Sequence, residues 1–179
     1  MLHVSTLVCL LFISSFCLFA QQTEYEVKSA QLKQIASFIT WPFEKDSTNP
    51  KSFFVVGILG QSTYNHYNSN ITAIKTIKEL PVQVLQFSSE HDITDCDLLL
   101  VGKCSAETII NALKKVKDKP VLTICDVDDN MKYGLMMGFY IKSGKVRFYA
   151  NTKQTQKSKL KFSSNLIRLA KQVESDYDH

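Results

Sequence analysis

Three runs, "SFFVVGILG" (Ser52–Gly60), "DLLLVG" (Asp97–Gly102) and "PVLTIC" (Pro120–Cys125), are apolar at nearly every position. A strand with one face in water alternates, whereas a continuous β-branched run demands cover on both faces. Parallel strands flanked by helices, joined by crossovers, meet that demand. One crossover is plain. "SAETIINALKKVKDK" opens on a capping serine, Ser105, carries Glu107 in its first turn and ends in lysines, the charge order a helix dipole favours.

The remaining elements follow from periodicity. Leu32, Ile35 and Ile39 recur at helical spacing, which predicts a helix over residues 25–41 that Pro42 stops at Trp41. "QSTYNHYNSN" reads as turn-rich, and "ITAIKTIKEL" after it as a helix through Ile71, Ile74 and Ile77. "PVQVLQF" alternates as a strand. "GLMMGFYIKSGKVRFYAN" reads as a hairpin with Ser143-Gly144 at its turn. "TKQTQKSKL" is short and polar, and "SSNLIRLAKQV" predicts a capped terminal helix with Leu166, Leu169, Ala170 and Val173 on one face. The order α-β-α-β-β-α-β-β-β-α predicts an α/β fold. We expect a three-layer sandwich with a mixed, mainly parallel sheet and a C-terminal antiparallel hairpin.

The first twenty residues hold no Asp, Glu, Lys or Arg, and "LVCLLFISSFCLFA" ends in a small residue before "QQTEYE" turns polar. This predicts a secretory signal peptide over residues 1–20, too short and apolar-limited for a membrane span, and one domain over residues 21–179. Cys17 invites a lipidated alternative, but Phe16 stands where a small residue is wanted. Export removes Cys9 and Cys17 and leaves Cys96, Cys104 and Cys125. Cys96 and Cys104 flank a strand about 25 Å long at its two ends, so they do not pair. Cys104 and Cys125 both fall at the carboxyl edge of the predicted sheet, and either a disulfide between them or two free thiols fits.

The chemistry is sparse. With 21 basic and 17 acidic residues, and no dense basic run interleaved with aromatics, nucleic acid is not indicated. The lysines of 114–119 and 153–161 read as solvated faces. Nucleophile-elbow, zinc-protease and phosphate-loop patterns are absent, and His66 and His91 lack ligand spacing. Nothing calls for a cofactor or a catalytic group. Asp126, Asp128 and Asp129 are a turn or, less simply, oxygen ligands for a hard cation, though their spacing is not that of a calcium loop. The strand-edge rule places any ligand beyond the carboxyl ends of the strands, at Gly60, Ser62, Tyr64, Ser105 and Asp126. That edge is either a small-ligand cleft or ordinary turn chemistry. Trp41, Phe43, Tyr64 and Tyr67 are candidate aromatic anchors for a partner, with core packing the competing role for Trp41.

Taken in order, these segments resemble one family. "VKSAQLKQIASFITWP", "FVVGILGQS", "ELPVQVLQF", "ITDCDLLLVG", "KPVLTICDVDD" and the closing block from "YGLMMGFY" to "SSNLIRLAK" are similar to the YfiR family of exported proteins, across about Val27 to Lys171. The resemblance implies a periplasmic α/β protein without catalysis. It would bind and repress the periplasmic sensory part of an inner-membrane signalling protein, a diguanylate cyclase in the characterised case, with homodimerisation associated. The alternative is a periplasmic small-ligand sensor acting on a sensor kinase or another receptor. Two departures stand out: the family's glycine pair is here Gly134-Leu135, and the paired cysteines behind redox control in the family are not kept as two clear pairs.

Overall fold

The computed structural model describes residues 24–46, 48 and 50–175; the expected signal peptide lies outside them. The three apolar runs become the centre of an eight-stranded sheet. β2 (Phe54–Leu59), β5 (Leu98–Val101) and β6 (Leu122–Cys125) lie side by side and parallel. β5 and β6 are buried throughout, as continuous runs require. β4 (Leu80–Phe87) joins β2 on its other side, also parallel. The sheet finishes with β7 (Met137–Lys142), β8 (Lys145–Asn151) and β10 (Lys171–Val173) at one edge and the two-residue β3 (Thr76–Ile77) at the other. β7 and β8 form the predicted hairpin, turning at Ser143-Gly144. A separate ribbon pairs β1 (Ile39–Thr40) with β9 (Lys161–Phe162).

Helices cover both faces. α1 (residues 24–37) and α2 (Gln61–Ala73) pack on one, burying Leu32, Ile35, Ala36, Tyr67 and Ile71 against Phe54, Val56, Ile58, Leu98 and Leu100. α3 (Ala106–Val116) covers the other with Ile109, Ala112, Leu113 and Val116. Ser105 caps α3 as expected, its hydroxyl accepting the Thr108 amide at 3.1 Å. The three-layer α/β sandwich with a mainly parallel sheet is the observed fold. The chain crosses from β2 outward to β4 and then back to β5, so the sheet's switch point lies between β2 and β5.

Three local expectations are corrected, and one segment left without an element gains one. α1 ends at residue 37, and Pro42 does not stop it; Ile39–Thr40 has already been drawn into the ribbon with β9. Pro42 instead opens a 3-10 turn over Pro42–Lys45, where its missing N–H costs nothing. "QSTYNHYNSN" is helical, forming most of α2, while "ITAIKTIKEL" breaks up: Lys75, Lys78 and Glu79 take positive φ, and the last two turn the chain from β3 into β4. The polar "TKQTQK" forms the short helix α4 (Thr152–Lys157). The terminal helix α5 (Ser164–Leu169) stops early because Lys171–Val173 pairs with β8. Of its expected apolar face only Leu166 is buried, and Leu169 is 69% exposed.

Candidate functional site: the two edges of the parallel sheet

At the carboxyl edge, Asp126 follows β6 directly and meets Lys28 of α1 and Tyr67 of α2. The Lys28 ammonium lies 2.7 Å from Asp126 Oδ1 and 2.7 Å from Glu24 Oε1, and the Tyr67 hydroxyl donates to the same Asp126 oxygen at 2.6 Å. Burial alone would lower the Lys28 pKa, but the Asp126 and Glu24 carboxylates outweigh it and raise the pKa above the ordinary lysine value. Tyr67 is raised well above a normal phenol, first by burial and then by the Asp126 charge. Tyr25 closes the cluster, edge-on to Tyr67 at 5.1 Å and stacked on His66 at 4.5 Å. At neutral pH this is an ammonium, a carboxylate and a neutral phenol that satisfy one another. It clamps α1 and α2 to the end of β6.

The switch point is filled by side chains. A Cβ on Gly102 would fall 1.7 Å from Thr63 Oγ1, so Thr63 occupies the space that a ligand approaching the glycine backbone would need. Asn130 donates to the Gly102 carbonyl at 3.0 Å. Gly60 holds φ +107 as the cap of α2, a conformation that favours glycine. Ser62 and Ser105 stay exposed, and Tyr64 is half-buried against the core. The aspartates diverge: Asp126 faces α1, whereas Asp128 accepts the Tyr149 hydroxyl at 3.3 Å. Among the described residues, no group of acidic, His or Cys side chains is placed to hold a metal ion.

Of the two alternatives for Cys104 and Cys125, free thiols are the one observed; Cys96, Cys104 and Cys125 are all unpaired. The reason is lateral. Cys104 leans toward β2, its Sγ 3.9 Å from the Leu59 carbonyl, while Cys125 Sγ points across β6 to Gly138 of β7. β5 stands between them. Burial pushes the Cys96 thiol up to about 12 and raises Cys125 further. Cys104 is raised too, by burial and then by Glu90.

The amino edge is different. Trp41 is fully buried, edge-on to Phe54 at 5.2 Å, with its indole N–H donating to the Asp97 carbonyl at 3.4 Å. It is a core residue, as is Tyr67, and neither is a surface anchor. The Trp41 amide donates to Glu44 Oε1 at 2.7 Å, and Glu44 pairs with Lys78 at 3.1 Å. Phe43 follows, partly buried against the core with its ring 6.3 Å from that of Trp41. Phe43 and Pro42 then wall a cleft of about 590 Å³ with Lys51, Asp95, Asp97 and Lys119. Asp97, which sequence reasoning passed over, organises this edge. It is buried, pairs with Lys51, accepts the Val55 amide at 2.8 Å through Oδ2, and lies on the line from Trp41 to β5. Its only sequence signal is a charge at the mouth of a wholly apolar strand. The eight expected contact residues are thus split between opposite ends: Gly60, Ser62, Tyr64, Tyr67, Ser105 and Asp126 at the carboxyl edge, Trp41 and Phe43 at the amino edge.

Fold and site together define a small α/β sandwich whose polar cluster is structural and whose open cleft is framed by an aromatic and paired charges. A family model described as YfiR/HmsC-like matches residues 25–171. The chain belongs to that family, one of periplasmic regulators in diguanylate cyclase signalling. Among curated proteins, none matches the chain significantly.

Proposed function

We propose that this protein is an exported, non-enzymatic regulator that binds the periplasmic sensory part of a membrane signalling protein, a diguanylate cyclase, and represses it. The family match across nearly the whole described fold carries this reading. The geometry is in keeping with it. The carboxyl-edge polar groups are engaged with one another, while the amino-edge cleft presents Phe43 between two ion pairs, Lys51 with Asp97 and Lys119 with Asp95. A partly buried aromatic open to a cleft and flanked by charge is a fitting anchor for another protein. Repression follows if docking favours the inactive arrangement of the receptor over the active one.

The test is capture of the purified exported protein by the outer domain of a membrane diguanylate cyclase from the same cell. Wild type is retained, and Phe43→Ser is not, although its circular-dichroism spectrum shows it folded at the assay temperature. Loss of the gene raises cellular cyclic-di-GMP. If the Ser variant is retained as well as wild type and cyclic-di-GMP does not change, this reading is wrong. The cleft also has the volume of a small-ligand site, and a metabolite that raises the melting temperature of wild type but not of Phe43→Ser would favour the sensor reading instead.

A further inference from the structure

The charge of this protein is segregated. Residues 130–173 hold ten of its 21 Lys and Arg residues and none of its 17 Asp and Glu. That block builds one end of the sheet, from β7 to β10. Within it the hairpin outruns its neighbours. β6 pairs with β7 only at Met137 and Gly138, and β10 pairs with β8 only from Tyr149 onward. Tyr140–Arg147 therefore stand as a two-stranded arm beyond the carboxyl edge of the sheet.

The arm is amphipathic because strand side chains alternate. Ile141 and Val146 sit opposite one another on the face shared with Phe148. Leu169 of α5 lies beside Phe148 on that same side. Ile141 is 48% exposed and Leu169 is 69% exposed. The other face carries Lys142, Lys145 and Arg147. At its root Lys171 lies over the rings of Tyr149 and Tyr140, 4.9 and 5.7 Å from their centroids. Among the described residues, no carboxylate forms an ion pair with Lys142, Lys145 or Arg147. Asp128 accepts the Tyr149 hydroxyl at the root.

One pairing points to an anion. Lys142 and Lys145 are direct cross-strand partners, and like charges so placed repel. Nothing in the hairpin requires two lysines there, and an anionic group between them would turn repulsion into attraction. Exposed aliphatic side chains next to unpaired Lys and Arg are the composition of a surface that lies in the headgroup layer of a membrane. An acidic protein surface laid against one face would satisfy the lysines and leave Ile141 on the other unmet, whereas a hairpin tip entering a headgroup layer end-on immerses both faces, Ile141 together with Lys142 and Lys145.

We propose that the β7–β8 arm is a membrane-surface contact. The tip enters end-on: Lys142 and Lys145, with Arg147 behind them, engage the phosphates of anionic phospholipids from one face, and Ile141 enters the interface from the other. Among the described residues no helix is long and apolar enough to span a membrane, so this contact is peripheral and reversible. It goes beyond the regulatory reading and does not depend on which receptor is bound: it confines the protein to the surface where a membrane receptor's outer domain stands.

Co-sedimentation of the exported protein with vesicles tests it, using phosphatidylcholine alone or with about one-third phosphatidylglycerol. The protein pellets with the anionic vesicles, stays in solution with the neutral ones, and is released by high salt. The triple variant Lys142→Gln, Lys145→Gln, Arg147→Gln weakens the anionic binding about a hundredfold, at roughly fivefold per charge. Ile141→Ser weakens it too, without changing the salt dependence. All four positions are exposed, and an unchanged circular-dichroism melt confirms folding. Every variant keeps the same N-terminus, so the difference reports the arm. Equal binding to neutral vesicles, no binding to anionic ones, or a triple variant that binds as wild type overturns the proposal. An arm variant that loses only the receptor domain and never bound vesicles also overturns it, in favour of an acidic protein partner.

Discussion

Lys28 and Asp126 are 98 residues apart in sequence and meet at 2.7 Å, with Lys28 only 4% exposed. The pair joins the first helix to the end of the fourth parallel strand, and Tyr67 ties the α2 crossover to the same oxygen. A buried pair of this kind adds little over an apolar replacement, but losing one member leaves the other charge stranded.

Lys28→Met is therefore expected to cost about 3–5 kcal/mol in urea unfolding. Adding Asp126→Asn to it recovers part of that loss, because the stranded carboxylate is removed. The double-mutant coupling is the quantity to measure, and additive losses would contradict the contact.

The same cluster sets an alkaline limit. Lys28 and Tyr67 both have raised pKa values, so each holds its proton more tightly folded than unfolded. Their contribution is complete below the ordinary values of 10.5 and 10.0 and is lost as pH rises through the higher folded ones. The urea midpoint should be level near neutrality and fall above about pH 10. Tyr67→Phe should start lower and fall less steeply.

Trp41 is the only tryptophan, so its fluorescence reports one site. Emission from the folded protein should be blue-shifted and resist iodide quenching. Trp41→Ala should cost about 3–5 kcal/mol, whereas Phe43→Ser, at a ring only partly buried against the core, should cost less, about 1–2 kcal/mol. A readily quenched tryptophan would contradict its burial.

The thiols should separate by access. In the folded protein Cys104 reacts first with a thiol reagent at mildly alkaline pH, since burial withholds thiolate from Cys96 and Cys125. The latter two react only on unfolding. Mild oxidation should not join Cys104 to Cys125, and a mass loss of two hydrogens within one chain would contradict the opposite leanings of their side chains.

Much of this architecture is legible in order along the chain. The apolar runs of β2, β5 and β6 fit only a covered sheet, Ser105 and the lysines bracket α3, and Ser143-Gly144 marks the hairpin. The misses share one cause. α2 carries only Thr63, Tyr67 and Ile71 as its buried stripe, among asparagines and serines that locally favour turns. The need for a crossover between parallel strands makes it a helix. Lys171–Val173 continues a helical pattern, yet an open edge of β8 was free to take it as a strand. Local propensity is a weak prior where a long-range partner competes.

The sequence by itself determined the layers, the strands that must be buried and the family to which the chain belongs, because each is written in apolar periodicity and motif order. Tertiary structure alone decided which polar residues meet. Lys28 found Asp126, Asp97 received the Trp41 indole, Trp41 went into the core and Phe43 was left partly open to the cleft. Those outcomes depend on which strands become neighbours, and pairings nearly a hundred residues apart leave no local trace in either partner.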